Sequence, residues 1–419
     1  MPIAAIPSYL GTDFSHASPG MRFGMYLKLW EAGWSKSKDR PLDSAKRLNP
    51  NDLKTMKALL ARQQQTFDAS AASLRLEAVA IAPFTTGLGN EHPLENGFAF
   101  LNPYGLPYLP GSGVKGVLRQ AARELASGDW ANDSGWSEKK AIPLMQGDGA
   151  RRKPVLDAHK QPVMLSMLDV LFGREAASGD SDHVRGALSF WDVIPQIKGD
   201  SLAVEIMTPH QSHYYQPPKP PKTVRDAAGS SISPHESGQP NPISFLTVPP
   251  GSGFVFHVQC DVEHLTRLAP ELAEAGHDGK ALWQTLIEAA FAHAFKWLGF
   301  GAKTAVGYGA METEAMRRER QAREEEQRRS EVEATRAREI QRQETEAVPW
   351  EGARIKFNRA NKSLTAEKDG KTAIALAPKG EELLAALPAE LRKKIETNQF
   401  VKLDAFVADG TLLRLEVRP

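Results

Sequence analysis

Apolar and polar residues begin to alternate at Leu74, and LRLEAVAIA predicts a strand there. Helical spacing takes over at GSGVKGVLRQAARELA, where Val117, Leu118, Ala121, Ala122 and Leu125 recur on one face. Further β segments are predicted at GALSFWDVIP, LAVEIM, ISFLTV and GFVFHVQC, followed by an amphipathic helix at ALWQTLIEAAFAHAFKWL. That helix runs straight into GFGAKTAVGYGAME, giving the order helix, glycine loop, strand. Upstream, residues 1 to about 70 combine Gly and Pro turns, the aromatic segment RFGMYLKLW and a polar helix PNDLKTMKALLARQQQTF, capped at Asn49 or Asn51.

Between LAVEIM and ISFLTV the chain carries QPPKPPKTVRDAAGSSISPHESGQPNP, residues 216–242, too dense in Pro, Gly and Ser to bury a core. It reads as an exposed, mobile-tipped excursion between two strands. Residues 314–348 hold almost no large apolar residue, and Glu-to-Arg pairs recur four apart, such as Glu314 with Arg318 and Glu324 with Arg328. Sustained heptads are missing, so a single solvated helix acting as a strut is expected rather than a coiled coil. From Trp350 two strand pairs flank a helix: ARIKFNR and AIALA, then EELLAALPAELRKKI, then FVKLDAFV and LLRLEV. The organisation expected is a lead-in at 1–72, a core at 73–313, the charged helix at 314–348 and a small α+β domain at 349–419.

The length of 419 residues suits two or three domains. With 52 Lys and Arg against 51 Asp and Glu, attraction to a polyanion must come from local patches. Cys260 is the single cysteine, which excludes an intrachain disulfide and any multi-cysteine metal site and suits a reducing cytoplasm. No basic-then-apolar leader opens the sequence and no run approaches the roughly 18 to 20 apolar residues of a membrane span. A soluble, cytoplasmic protein without membrane contact, metal or cofactor is expected.

Two segments carry candidate chemistry. Gly299, Gly301, Gly307 and Gly309 in GFGAKTAVGYG let the backbone take positive φ and offer amides to anionic oxygens, and Lys303 adds a cation. A phosphate-binding P-loop would place Lys-Ser/Thr at a helix start, whereas this loop follows a helix and precedes a strand. The plain alternative is that the glycines only make a tight turn. In PYLPGSGVKGVLR a Pro and Gly turn delivers Lys115 to the first turn of a helix and Arg119 to the next turn of the same face, where helix-start amides and two cations would suit phosphate. A solvated basic face is the alternative there.

Together these segments resemble the RAMP superfamily: PYLPGSGVKGVLRQAARE is similar to its Pro-Gly-Ser, Lys-Gly helix start, and GFGAKTAVGYGAM to its C-terminal glycine-rich loop. Within it, ASPGMRFGMYLKLW, then EIMTPHQSHYY followed by a long insertion and PISFLTVPPGSGFVFHV, resemble the sixth-subunit family of the type III-B CRISPR effector, the Cmr complex. The resemblance covers about residues 10 to 315. It implies an α+β chain with tandem ferredoxin-like, RRM-like halves, a thumb-like insertion at about 216–242 and a glycine loop beside RNA. It also implies partners: CRISPR RNA, target RNA, the repeated backbone subunit and subunit one, with this chain capping the filament near the 3′ end of the guide. Carried onto this sequence, the RNA contacts would be Lys115, Arg119, Gly299, Gly301, Lys303, Gly307 and Gly309, plus His210, His213, Tyr214 and Tyr215, whose rings can stack on unpaired bases. TPHQSHYY could equally serve as a hinge for the arm.

No catalytic residue is expected, because the nearest acid-base pair, Asp13 with His16, reads as turn residues and no carboxylate cluster suggests two metals. The rival functions are a superfamily endoribonuclease that processes CRISPR RNA and an assembly module without RNA contact. The charged helix and terminal domain fall outside the resemblance.

Overall fold

A computed structural model describes residues 3–37, 41–67, 72–130, 134–147, 152–157, 159–175, 183–208, 242–276 and 279–417. The chain forms two compact units, Met1–Arg317 and Arg318–Pro419. The first contains helix α1 (Pro50–Phe67), strand β1 (Ser73–Ala80), helix α2 (Gly111–Ala126), and strands β2 (Leu188–Phe190), β3 (Ala203–Met207), β4 (Ile243–Thr247) and β5 (Gly253–Cys260). Helix α3 (Leu282–His293) and strand β6 (Met311–Glu312) follow, and helix α4 (Glu314–Thr345) carries the chain onward.

Strands β2, β5, β1 and β6 form one antiparallel sheet in that order, with Leu74 opposite Val258 and Ala78 opposite Phe254. With α2 between β1 and β2 and α3 between β5 and β6, this is a ferredoxin-like βαββαβ unit. The alternation read from Leu74 is the inner face: Leu74, Ala78 and Ala80 are buried while Arg75, Glu77 and Val79 are exposed. Strand β5 is buried on both faces, because Phe254, Phe256 and Val258 share one face and His257 on the other meets Phe67 of α1, ring centroids 4.6 Å apart. Helix α2 buries Val114, Leu118, Ala121, Ala122 and Leu125; Val114 takes the place expected of the half-buried Val117. Trp283, Phe291, Phe256 and Phe300, each about 1% exposed or less, fill the core between sheet and helices.

One such unit is formed by the described residues. Among the described residues the other sheets of Met1–Arg317 have two strands each. Strands β3 and β4, the pair expected on either side of the excursion, lie against each other, Glu205 opposite Phe245. These strands are five residues long and stand on either side of the 209–241 stretch, so their hydrogen bonds are spent within one hairpin.

Two local motifs fix the lead-in. Helix α1 starts in a reciprocal cap: Asp52 N donates to Asn49 Oδ1 at 2.9 Å and Asn49 N to Asp52 Oδ2 at 2.8 Å, with Pro50 in the first turn. Arg22 of the ASPGMRFG segment is buried and donates to the carbonyl oxygens of Ala17 (2.9 Å), Ser44 (2.5 Å) and Arg47. Burial lowers its pKa, and Asp52 works in the opposite direction.

In the second unit α4 is nearly all exposed and is followed by strands β7 (Val348–Asn358), β8 (Ser363–Lys368) and β9 (Lys371–Ala375). Helices α5 (Lys379–Ala385) and α6 (Ala389–Glu396) precede strands β10 (Val401–Ala408) and β11 (Thr411–Glu416). The strands close into a barrel in the order β7-β8-β9-β11-β10, antiparallel throughout except β9 beside β11. Ala353, Ile355, Leu364, Ala366, Ala373, Leu403 and Leu412 fill it. The four strands expected are five, because SLTAEK adds β8, and Pro388 divides the expected helix in two. Among the described residues no helix is long and apolar enough to cross a membrane.

Candidate nucleic-acid interface

The glycine loop grows out of the end of α3, where the helix loosens into a π turn at Ala294–Leu298 and stops at Gly299 (φ +71°). Phe300 then turns into the core, 5.0 Å from the Phe256 ring and 5.5 Å from Phe295. Gly301 and Gly309 flank it because a Cβ there would overlap the carbonyl oxygens of Thr85 and Phe300 respectively. Gly307, also at positive φ, faces open space.

Most of the loop's amides are engaged within the fold. Those of Gly299, Phe300, Ala302, Val306, Gly307, Tyr308 and Gly309 all donate to backbone carbonyls, among them Ala302 to Thr85 at 2.8 Å and Gly309 to Pro83 at 2.8 Å. A loop packed this closely spends its own donors to avoid burying them unpaired. What it presents instead is Lys303, which sits in the left-handed region at φ +60°. A glycine would occupy that conformation with less strain, so what the lysine adds is its ammonium group.

The Lys303 ammonium lies 5.5 Å from the Phe245 ring centroid and 3.5 Å from Met207 Sδ, at the foot of the β3–β4 hairpin. No carboxylate pairs with it among the described residues. Tyr308 joins the group, its ring 5.8 Å from Phe245; burial, and secondarily Glu205, push its hydroxyl pKa upward. Segment Pro83–Thr85 ties loop to hairpin, since Thr85 Oγ1 donates to Leu246 O at 3.0 Å and Phe84 exchanges backbone bonds with Val248. Loop, hairpin foot and Lys303 are thus one built surface. His210, His213, Tyr214 and Tyr215, and the insertion apart from Pro242, lie outside the described residues.

The second segment is also corrected in part. The start of α2 is already occupied by an anion: Gly111 N donates to Asp192 Oδ1 at 2.7 Å, while Gly113 and Val114 donate to Pro110 O. A Cβ at Gly111 would overlap the carbonyl of Phe190, so its glycine serves close packing. Lys115 is half-buried without an ion-pair partner among the described residues, and Arg119 Nε is buried with no hydrogen-bond partner there. Three of the first four amides of this helix, those of Gly111, Gly113 and Val114, are therefore already bonded.

Sequence reasoning missed a pair on the same helices. His293 Nε2 meets Glu124 Oε2 at 2.7 Å, with the His293 side chain 4% exposed and the Trp130 ring edge-on at 4.6 Å. Burial works to raise the Glu124 carboxyl, and the hydrogen bonds from His293 and Gln120 outweigh it, so its pKa lies below the ordinary value. The two residues are 169 apart in sequence, and no short motif announces them. Asp13, by contrast, is a turn residue: its carboxylate accepts from Ser15 N at 3.0 Å, which lowers its pKa, and the His16 carbonyl accepts from Asn49 Nδ2 at 3.3 Å. Among the described residues no group of three or more His, Cys, Asp or Glu could hold a metal ion.

The family model of the RAMP superfamily matches residues 77–312, more than half of the chain, from the middle of β1 to the end of β6. The chain belongs to the RAMP superfamily. Within it, the chain is 29% identical over 246 residues to the CRISPR system Cmr subunit Cmr6 of Pyrococcus furiosus, an alignment covering 54% of this chain and 63% of that protein. The crystal structure of Cmr6 from P. furiosus aligns with 57% of this chain and 97% of its own, at 27% identity and TM-score 0.26. A chain in the cryo-EM structure of type III-B Cmr-beta bound to cognate target RNA covers 65% of this RAMP chain and 69% of its own, at 15% identity and TM-score 0.37. The residues that this RAMP protein brings together, Lys303 with Phe245, Met207 and Tyr308, all fall inside the matched span.

Proposed function

We propose that this protein is a structural, RNA-binding subunit of a type III-B CRISPR effector, capping the filament of repeated backbone subunits near the 3′ end of the guide RNA. The observation that carries the reading is Lys303: an ammonium without a carboxylate partner among the described residues, held in a left-handed backbone conformation against the foot of a hairpin. Similarity to the Cmr6 subunit supports membership of the complex. Lys115, Arg119 and the ring-bearing stretch His210–Tyr215 would extend the track, cations on phosphates and rings on unpaired bases. Guide recognition is then by backbone and shape, with sequence left to base pairing.

The subunit is read as non-catalytic, in keeping with Asp13 serving as a turn residue whose carboxylate accepts from Ser15 N. Cleavage of CRISPR repeat RNA by the purified chain, abolished in His16→Ala, would contradict that part. Photo-crosslinking of guide RNA inside the assembled effector tests the rest. Adducts are expected within residues 111–119 and 299–309; a guide crosslinked elsewhere in the complex with neither segment labelled would favour a pure assembly module.

A further inference from the structure

The barrel of Arg318–Pro419 carries a feature that the RAMP family model does not reach. Its strand order, with the third and fifth strands parallel and two helices between the third and fourth, is that of an oligonucleotide/oligosaccharide-binding fold. We propose that it is a second nucleic-acid site, taking a single strand across the outer face of β10, β7, β8 and β9.

The strand register sets Lys402, Arg354, Glu367 and Thr372 side by side as one row across those four strands. All but the half-buried Glu367 are exposed, so the row lies on the outside of the barrel. Phe400, 61% exposed, has the Arg354 guanidinium 4.9 Å and the Lys402 ammonium 5.7 Å from its ring centroid. Several cations of the unit are paired, among them Lys356 with Glu367 (2.8 Å), Lys362 with Glu381 (2.9 Å) and Arg414 with Glu416 (3.0 Å). Arg354 and Lys402 have no carboxylate partner among the described residues. At the β8–β9 turn Lys368 stands directly opposite Lys371, again without a carboxylate partner there. Like charges facing each other across strands are unfavourable, and an anion between them relieves the repulsion. Exposed Ile374 and Leu376 on and just after β9 add apolar surface to this basic face.

An exposed ring between two unpaired cations is the pairing a single strand requires: a base stacks on the ring while flanking phosphates meet the cations. A duplex keeps its bases stacked inside and cannot use the ring. The site is separate from Lys303, so the two readings stand or fall independently.

The test uses the full chain, with labelled single strands of about 12 nucleotides, within the range one such barrel tracks. RNA and DNA arms run in parallel, and duplex serves as competitor. Phe400→Ala is expected to weaken single-strand binding by about ten-fold, in line with the loss of one stacked base. Arg354→Glu with Lys402→Glu is expected to flatten the dependence of log affinity on log salt by about 1.4, two phosphate contacts at about 0.7 each. Crosslinks in the unmodified chain should fall on the segment holding Phe400 and Lys402, a readout independent of how the variants fold. Binding of either strand type supports the site, and a preference between them says whether a 2′-hydroxyl is read. Unchanged affinity and salt slope in both variants, with adducts confined to residues before 318, would overturn it. Loss of a protein partner with single-strand affinity intact would likewise overturn it in favour of a protein-docking face. A Lys303→Gly chain is expected to keep the barrel adducts, and losing them would count against an independent barrel site.

Discussion

Gly307 and Gly309 lie two residues apart with φ of +90° and +70°, yet their surroundings separate what they do. A Cβ at Gly309 would overlap the Phe300 carbonyl, whereas at Gly307 it meets nothing. Gly307→Ala is therefore expected to lose only the conformational cost of positive φ, about 1 kcal/mol, and Gly309→Ala about 3 kcal/mol or more as the loop shifts to relieve the overlap. Denaturant unfolding of the two variants checks this, and equal losses would contradict it. The glycines and Lys303 were legible in the sequence as a special loop. What they do was not: glycine spacing signals positive φ, and it cannot tell a backbone that opens its amides to a ligand from one that spends them on Pro83 and Thr85.

At the scale of elements, helices α2 and α3 are joined by Glu124 and His293 as well as by packing. Because the Glu124 pKa is lowered in the folded state, its contribution is fully present above the ordinary carboxylate pKa and is lost as pH falls through the lowered value. Glu124→Gln is accordingly expected to lower stability at pH 7 by about 1 to 3 kcal/mol, with the gap to the parent closing at acid pH. Melting curves from pH 7 down to pH 3 would show this; a gap constant across the range would contradict it. The elements themselves were largely legible, since alternation marked β1, β3, β4 and β5 and the Asn49 cap marked the start of α1. Strand β8 escaped because SLTAEK is short and weakly apolar, although the Asp369-Gly370 turn after it, with φ of +47° and +75°, is a hairpin signal. The pairing of β3 with β4 alone could not be read, because period-two patterning says which face is buried and not which strand lies alongside.

For the whole molecule, near-zero net charge means that any grip on RNA must be local, and Lys303 can be removed without harming the loop. Lys303→Gly gives up a cation–π contact of about 0.5 to 1 kcal/mol and relieves left-handed strain of about 1 kcal/mol, so stability should hardly move. Function should move. The decisive measurement is guide-RNA retention by the effector reconstituted with Lys303→Gly, followed across a salt titration beside the parent, with unfolding of the isolated chain as control. Guide loss at lower salt with unchanged stability is expected; identical retention at every salt concentration would contradict the claim that this loop holds the RNA.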